Sequence, residues 1–285
     1  MTTACCTIQR FCQGDELRSP FIPSPGLALR LEAVYEKWNR RDYVHPDPLE
    51  FLYDYPDVLD REVVAFVASS LAYGRVKQIL RSVSTVLGRM GPSPRAFLLQ
   101  NTSDALQMAF GDFRHRFTSG EELASMMAGL RAVIHRYGSL QACFASRMRA
   151  ADPTVLQALC GFVGELKMEL KGERSALFPS PSDASACKRL NLFLRWMVRN
   201  DEVDPGGWEG VPPSKLIVPL DTHMHRIGLA LGMTRRRQAD MRTALEVTAG
   251  FRSIAPDDPV RYDFVLTRPG IWGDPELRFL EPHER

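Results

Sequence analysis

The stretch 76–87, VKQILRSVSTVL, carries apolar side chains at Val76, Ile79, Leu80, Val83, Val86 and Leu87, a spacing that lines one stripe of an α-helix. Gly88 and the pair Gly91-Pro92 follow and are expected to stop it. Working outward, the same spacing recurs at Leu123, Met126, Met127, Leu130, Val133, Ile134 and Tyr137. Gly138 closes that run, where a residue without Cβ suits the left-handed cap. A third copy is Val155, Leu156, Leu159, Phe162, Val163 and Leu166. Further helices are read over 27–40, 61–72, 190–199 and 238–251, and Asp258-Pro259 reads as a cap and first-turn proline opening a helix over 260–267. Only 215–220 has a strand-like run, short enough to be a buried extended connector. The pattern predicts a mainly α fold: a tail over 1–26, then one globular unit over 27–285. That unit is expected to have two helical lobes, about 61–184 and 185–285 with the N-terminal helices.

Composition sets the outer bounds. The chain has 285 residues, 45% hydrophobic and 25% charged, with a mean hydropathy of −0.19. That is enough to build a core and excludes disordered and fibrous classes. No run approaches the roughly 18–20 apolar residues needed to cross a bilayer, which excludes a membrane-spanning protein. Residues 1–19 lack a sustained apolar segment, so a cytoplasmic location is expected. The six cysteines, Cys5, Cys6, Cys12, Cys143, Cys160 and Cys187, have no C-x-x-C spacing and read as reduced thiols.

The net charge of +2 conceals a pattern: −4 over 1–60, +5 over 61–137, 0 over 138–184, +4 over 185–252 and −3 beyond. Two basic segments flanking a neutral one are expected to form the walls of a central basic cleft for a polyanion such as nucleic acid.

Two clusters carry chemistry. Asp221 follows an extended apolar segment and stands where a helix should begin, in Pro219-Leu220-Asp221-Thr222-His223-Met224-His225-Arg226. A carboxylate there accepts backbone N–H groups and feels the positive end of the helix dipole. The spacing Asp221-x-His223-x-His225 also matches a metal-hydrolase motif. If the helix starts at Thr222, however, the two imidazoles diverge by about 200° and cannot share an ion. Lys188 opens a second helix, apolar almost all round at Leu190, Leu192, Phe193, Leu194, Trp196, Met197 and Val198. A helix N-terminus and an apolar wall favour the neutral amine, which can form a Schiff base.

From Lys188 through Leu220-Asp221-Thr222-His223 and Arg226 to Leu231-Gly232, the sequence resembles the catalytic core of the helix-hairpin-helix DNA glycosylase superfamily. The 33-residue step from Lys188 to Asp221 is similar to that of the archaeal 8-oxoguanine glycosylases. The segment 63–87, with Ala72-Tyr73-Gly74-Arg75 at its turn, resembles the superfamily's early helix pair. The resemblance implies a DNA-glycosylase-like fold, with Lys188 as Schiff-base nucleophile and Asp221 as the carboxylate stabilising the transition state. It implies nucleic-acid contacts at Tyr73, as wedge, and at Arg75, Lys77, Arg189 and Arg226. Trp196, or Trp208, would line the base pocket, His223 would support Asp221, and the run Arg235-Arg236-Arg237 would touch phosphates. A nucleoid-associated monomer acting in DNA repair, without metal or other cofactor, is expected. The sequence departs from the superfamily at 178–185, where Pro, Ser and Asp183 replace the usual glycine turn, and no cysteines follow Cys187 to hold an iron-sulfur cluster. The phrases Cys187-Lys188-Arg189-Leu190-Asn191, 194–199 and 259–264 also resemble a bacterial family of proteins of unknown function. Two alternatives remain: a non-catalytic nucleic-acid-binding relative, and a metal-dependent hydrolase using Asp221, His223 and His225.

Overall fold

The computed structural model describes residues 21–168, 177–181 and 185–267. Most of the expected tail, with Cys5, Cys6 and Cys12, lies outside the described residues, as do Asp183 and 268–285 with His283.

The structure is mainly helical. The 76–87 stripe becomes α3 (Val76–Met90), which follows α1 (Leu27–Trp38) and α2 (Val58–Ser70). It runs through Gly88 and ends at Gly91, whose φ of 73° ordinary residues rarely adopt. Helix α2 begins three residues earlier than the periodicity indicates, because Asp57 caps the backbone N–H groups of Leu59 and Asp60. Then come α4 (Pro94–Gln100), α5 (Ser103–Phe110), and a hairpin of β1 (Arg114–His115) and β2 (Thr118–Ser119). Next are α6 (Gly120–Tyr137), with the expected Gly138 cap, α7 (Leu140–Ala145) and α8 (Leu156–Lys167). The last four are α9 (Lys188–Val198), α10 (Thr222–Ala230), α11 (Met241–Arg252) and α12 (Asp263–Thr267).

Helices α2 and α9 pack on each other at the centre of the molecule. Both are buried on every side, over 62–70 and 190–198, as helices without a polar face must be. Helix α2 also meets α3, α4 and α7, while α6 packs on α4, α5, α7 and α8. Helix α12 lies against α1 and α10. Among the described residues, no helix is long and apolar enough to cross a membrane.

One of the two open readings is settled and another needs correction: 215–220 is the buried extended connector, and the helix at Pro259 is absent. The segment 215–220 pairs with no strand: after a 3-10 turn, Pro213–Lys215, it runs extended and buried, and the Val218 N–H is satisfied by Thr248 Oγ1 at 3.0 Å. No helix opens at Pro259; turns occupy 259–262 and the helix starts at Asp263.

Candidate active site

Helix α9 begins abruptly. Cys187 sits in the left-handed region at φ 48°, buried, with its N–H on Ser185 Oγ at 3.2 Å. Asn191 braces the same loop by donating to the Ala186 carbonyl at 3.1 Å. A β-bridge from Ser185 to Asp240 ties the loop to the start of α11. This strained, over-determined corner fixes Lys188 as the first helical residue.

Asp221 is the N-cap of α10, with Oδ1 accepting the Met224 N–H at 2.8 Å. Its other oxygen faces Nζ of Lys188 at 3.9 Å, and the two side chains are 33% and 27% exposed, lysine first. The pair stands between two cavities that share Ala72, Ile79, Lys188 and Asp221. The outer one, about 540 Å³, is bordered by Tyr73, Arg189 and His223. The deeper one, about 640 Å³, is walled by Trp38, Tyr43, Trp196 and Phe264 together with four carboxylates.

Those carboxylates, Asp42, Asp47, Asp221 and Asp263, outnumber the cavity's permanent cations, Lys188 and Arg195. The deeper cavity is therefore acidic, unlike the expected basic cleft, while the outer one sets Lys188 and Arg189 against Asp221. Charge summed along the chain misleads at the deeper cavity because Arg195 and Arg199 are spent inside the molecule. Arg195, 3% exposed, pairs with Asp263 and with Asp204. Arg199 binds Asp204, Asp201 at 2.7 Å and Asp258 at 2.8 Å. Arg236 is held by Asp240 at 2.6 Å.

The sequence did not single out Asp263, which the fold brings beside the Lys188–Asp221 pair. It is 3% exposed, and burial pushes its carboxyl up to about 6, a shift Asp221 adds to and Arg195 opposes. The preceding residues set its position: Arg261 lies 4.2 Å over the Tyr35 ring and reaches Glu32 at 2.5 Å, and the Tyr262 hydroxyl donates to Glu32 at 3.0 Å.

Other residues expected at the site are placed as follows. Tyr73 borders the outer cavity, but its hydroxyl is bound to the hairpin, donating to the His115 carbonyl at 2.8 Å and meeting Thr118 Oγ1 at 2.7 Å. Arg189 turns inward, donating to the Ser70 carbonyl at 2.7 Å with its guanidinium 5.1 Å from the Tyr73 ring centre. Arg75, Lys77 and Arg226 are exposed. Trp196 lines the deeper cavity, whereas Trp208 belongs to the core: its Nε1 donates to Glu62 at 3.0 Å and its ring packs on Phe144 and Phe193. His225 donates to the Arg236 carbonyl at 2.8 Å, while His223 is exposed. Helix geometry thus separates the two imidazoles, and among the described residues no group of three or more His, Cys, Asp or Glu side chains could hold a metal ion.

These features define a mainly helical protein with a lysine–carboxylate pair at the mouth of an aromatic, acidic cavity. The chain belongs to the DUF2400 family of proteins of unknown function, whose family model matches residues 47–272. No curated protein and no solved structure matches the chain.

Proposed function

We propose that this protein is a base-excision enzyme, a DNA N-glycosylase with lyase capability, in which Lys188 is the nucleophile and Asp221 the stabilising carboxylate. The supporting observation is the approach of Lys188 Nζ to Asp221 Oδ2, 3.9 Å, at the entrance of a cavity large enough for a nucleobase. The sequence resemblance to the helix-hairpin-helix glycosylases supports the same reading. In it, the helices around α6 and those around α10–α12 act as two lobes on either side of the α2–α9 pair.

The chemistry follows from the pair. Once its ammonium has given up a proton, Lys188 attacks C1′ of the extruded nucleotide. The C1′–N bond breaks, its electrons leave with the base, and the base takes up a proton. Positive charge developing on the sugar is offset by the fixed carboxylate of Asp221. Nζ, which carries two hydrogens after the attack, passes one to the ring oxygen O4′ as the C1′–O4′ bond opens, leaving a protonated imine between Nζ and C1′. The imine acidifies the C2′ hydrogen and permits strand scission, and water then releases the lysine. Tyr73, Arg75, Lys77 and Arg226 would hold the strand outside.

The test is borohydride trapping on duplexes and single strands carrying a panel of modified bases. A covalent adduct is expected with at least one substrate and should vanish in Lys188→Ala. Base release should fall in Asp221→Asn by about 10²-fold or more. Salt-sensitive binding without adduct or base release would instead describe a non-catalytic binding relative.

A further inference from the structure

The β1–β2 hairpin stands at the rim of the outer cavity and carries a large apolar side chain into solvent. Phe117, at its tip, is 80% exposed, and Arg114 and Arg116 are exposed beside it. The turn residues Arg116 and Phe117 close the His115–Thr118 pair, a place where Gly or Asn usually supplies the positive φ. Arg116 takes that conformation instead, at φ 53°. Behind the tip the hairpin is stiff. The Tyr73 hydroxyl donates to the His115 carbonyl, and the buried His115 ring bridges Ser82 Oγ at 2.9 Å and the Tyr73 carbonyl at 3.1 Å. Gly74 lets the Arg116 stem lie on the rim, since a Cβ there would come within 2.6 Å of Arg116 Cδ.

We propose that the hairpin tip holds a nucleic-acid strand outside the cavity, Phe117 stacking on an unpaired base while Arg114, Arg116 and the exposed cations of segment 75–81 take the phosphates. The inference goes beyond base excision and does not need it: the contact stands whether or not Lys188 reacts. The ring that meets the strand is then Phe117 rather than Tyr73, whose hydroxyl is committed to carrying the hairpin.

Charge and area choose the partner. Residues 63–103 contain no Asp or Glu. Arg75, Lys77 and Arg81 are exposed at the start of α3, which packs on β1, and Lys77 and Arg81 lie one turn apart on its outer stripe. Of the carboxylates flanking the hairpin, Asp112 is held by Arg89 at 2.6 Å and Glu122 accepts the Ser119 N–H at 2.9 Å, which leaves Glu121 against these cations and those of the tip. Such a surface suits a polyanion. One exposed ring is too little to anchor a membrane or a protein surface, each of which needs several buried apolar side chains. A base has a π face that a single ring can cover. Arg116 braces that ring, its guanidinium 5.4 Å from the Phe117 ring centre.

The experiment is fluorescence anisotropy of an end-labelled single DNA strand of mixed sequence, titrated with the full chain over a range of salt. Binding should weaken as salt rises, and Arg114→Ala should reduce the slope of log affinity against log salt by roughly 0.7. Phe117→Ala and Phe117→Leu should each weaken binding by about tenfold, whereas Phe117→Trp should retain it. The strand should also quench the new indole of Phe117→Trp, beyond any change shown by the four native tryptophans. Because the replaced ring is exposed, the variants should melt with the wild type, so that lost binding is not lost folding. If Phe117→Ala unfolds, the Leu and Trp variants decide. No salt-sensitive binding by the folded chain, equal affinities for Phe117→Leu and the wild type, or Phe117-dependent binding to phosphatidylserine vesicles in place of DNA would overturn the inference. Phe117-dependent binding without any imine trapping would keep the hairpin contact and discard base excision. Trapping, with strand affinity unmoved in the Phe117 variants, would do the reverse.

Discussion

Arg189 and Arg226 both come from the basic segment 185–252 and answer different demands. Arg189 is half-buried, its guanidinium committed to the Ser70 carbonyl and the Tyr73 ring, whereas Arg226 is exposed on α10. Arg189→Ala is therefore expected to lower the unfolding free energy by about 1–3 kcal/mol, measured by denaturant titration. Arg226→Ala should leave the melting temperature unchanged and, if the chain binds nucleic acid, reduce the slope of log affinity against log salt by about one. Unequal burial of this kind was not legible in the sequence, where both are arginines on helices that start at a candidate catalytic residue. Asp263 escaped for a similar reason. The sequence did contain one signal, Arg195 in the middle of an otherwise apolar helix, since a buried cation must find a carboxylate. Which carboxylate depends on a contact 68 residues away.

Among elements, long amphipathic helices were readable and short ones were not. The stripes of α3, α6 and α8 span three or more turns, so their period is visible, whereas α4, α5 and α7 have 6–8 residues and show only their caps, Ser93, Thr102 and Ser139. The start of α7 is where a buried carboxylate meets a helix end. Glu62 of α2 accepts N–H groups of Leu140 at 2.7 Å and Gln141 at 3.0 Å, as well as Trp208 Nε1. Burial nevertheless pushes its carboxyl up to about 7, against the pull of those three donors. A carboxyl raised in the folded state contributes stability that is fully present below about 4.5 and is lost as pH rises through about 7. Thermal melts between pH 5 and 8 should show this decline, and it should disappear in Glu62→Gln. That variant should also lose about 1–3 kcal/mol, because its NH₂ meets a donor where the carboxylate offered an acceptor.

At the level of the whole molecule, Arg195, Arg199, Asp201, Asp204, Asp258 and Asp263 form one ionic cluster that joins α9 to the turn at 258 and to α12. Removing a member leaves the others charged in a low-dielectric interior. Asp204→Ala, at a site with 0% exposure, is expected to cost about 3–5 kcal/mol in denaturant titration, more than most surface changes. The cluster keeps the charges of Arg195 and Arg199, two of the eleven cations of the block 185–252, inside the molecule. It also anchors the far end of α9, whose stripe Lys188, Leu192, Arg195, Trp196 lines the deeper cavity along two turns. One rigid rod thus carries the Lys188 amine at one end and, about 10 Å further along its axis, the guanidinium that grips Asp263 and the indole beside it. Held by the ionic cluster at one end and by the Cys187 corner at the other, the helix is a fixed mount: Lys188 can shift relative to the cluster only if the whole rod moves with it.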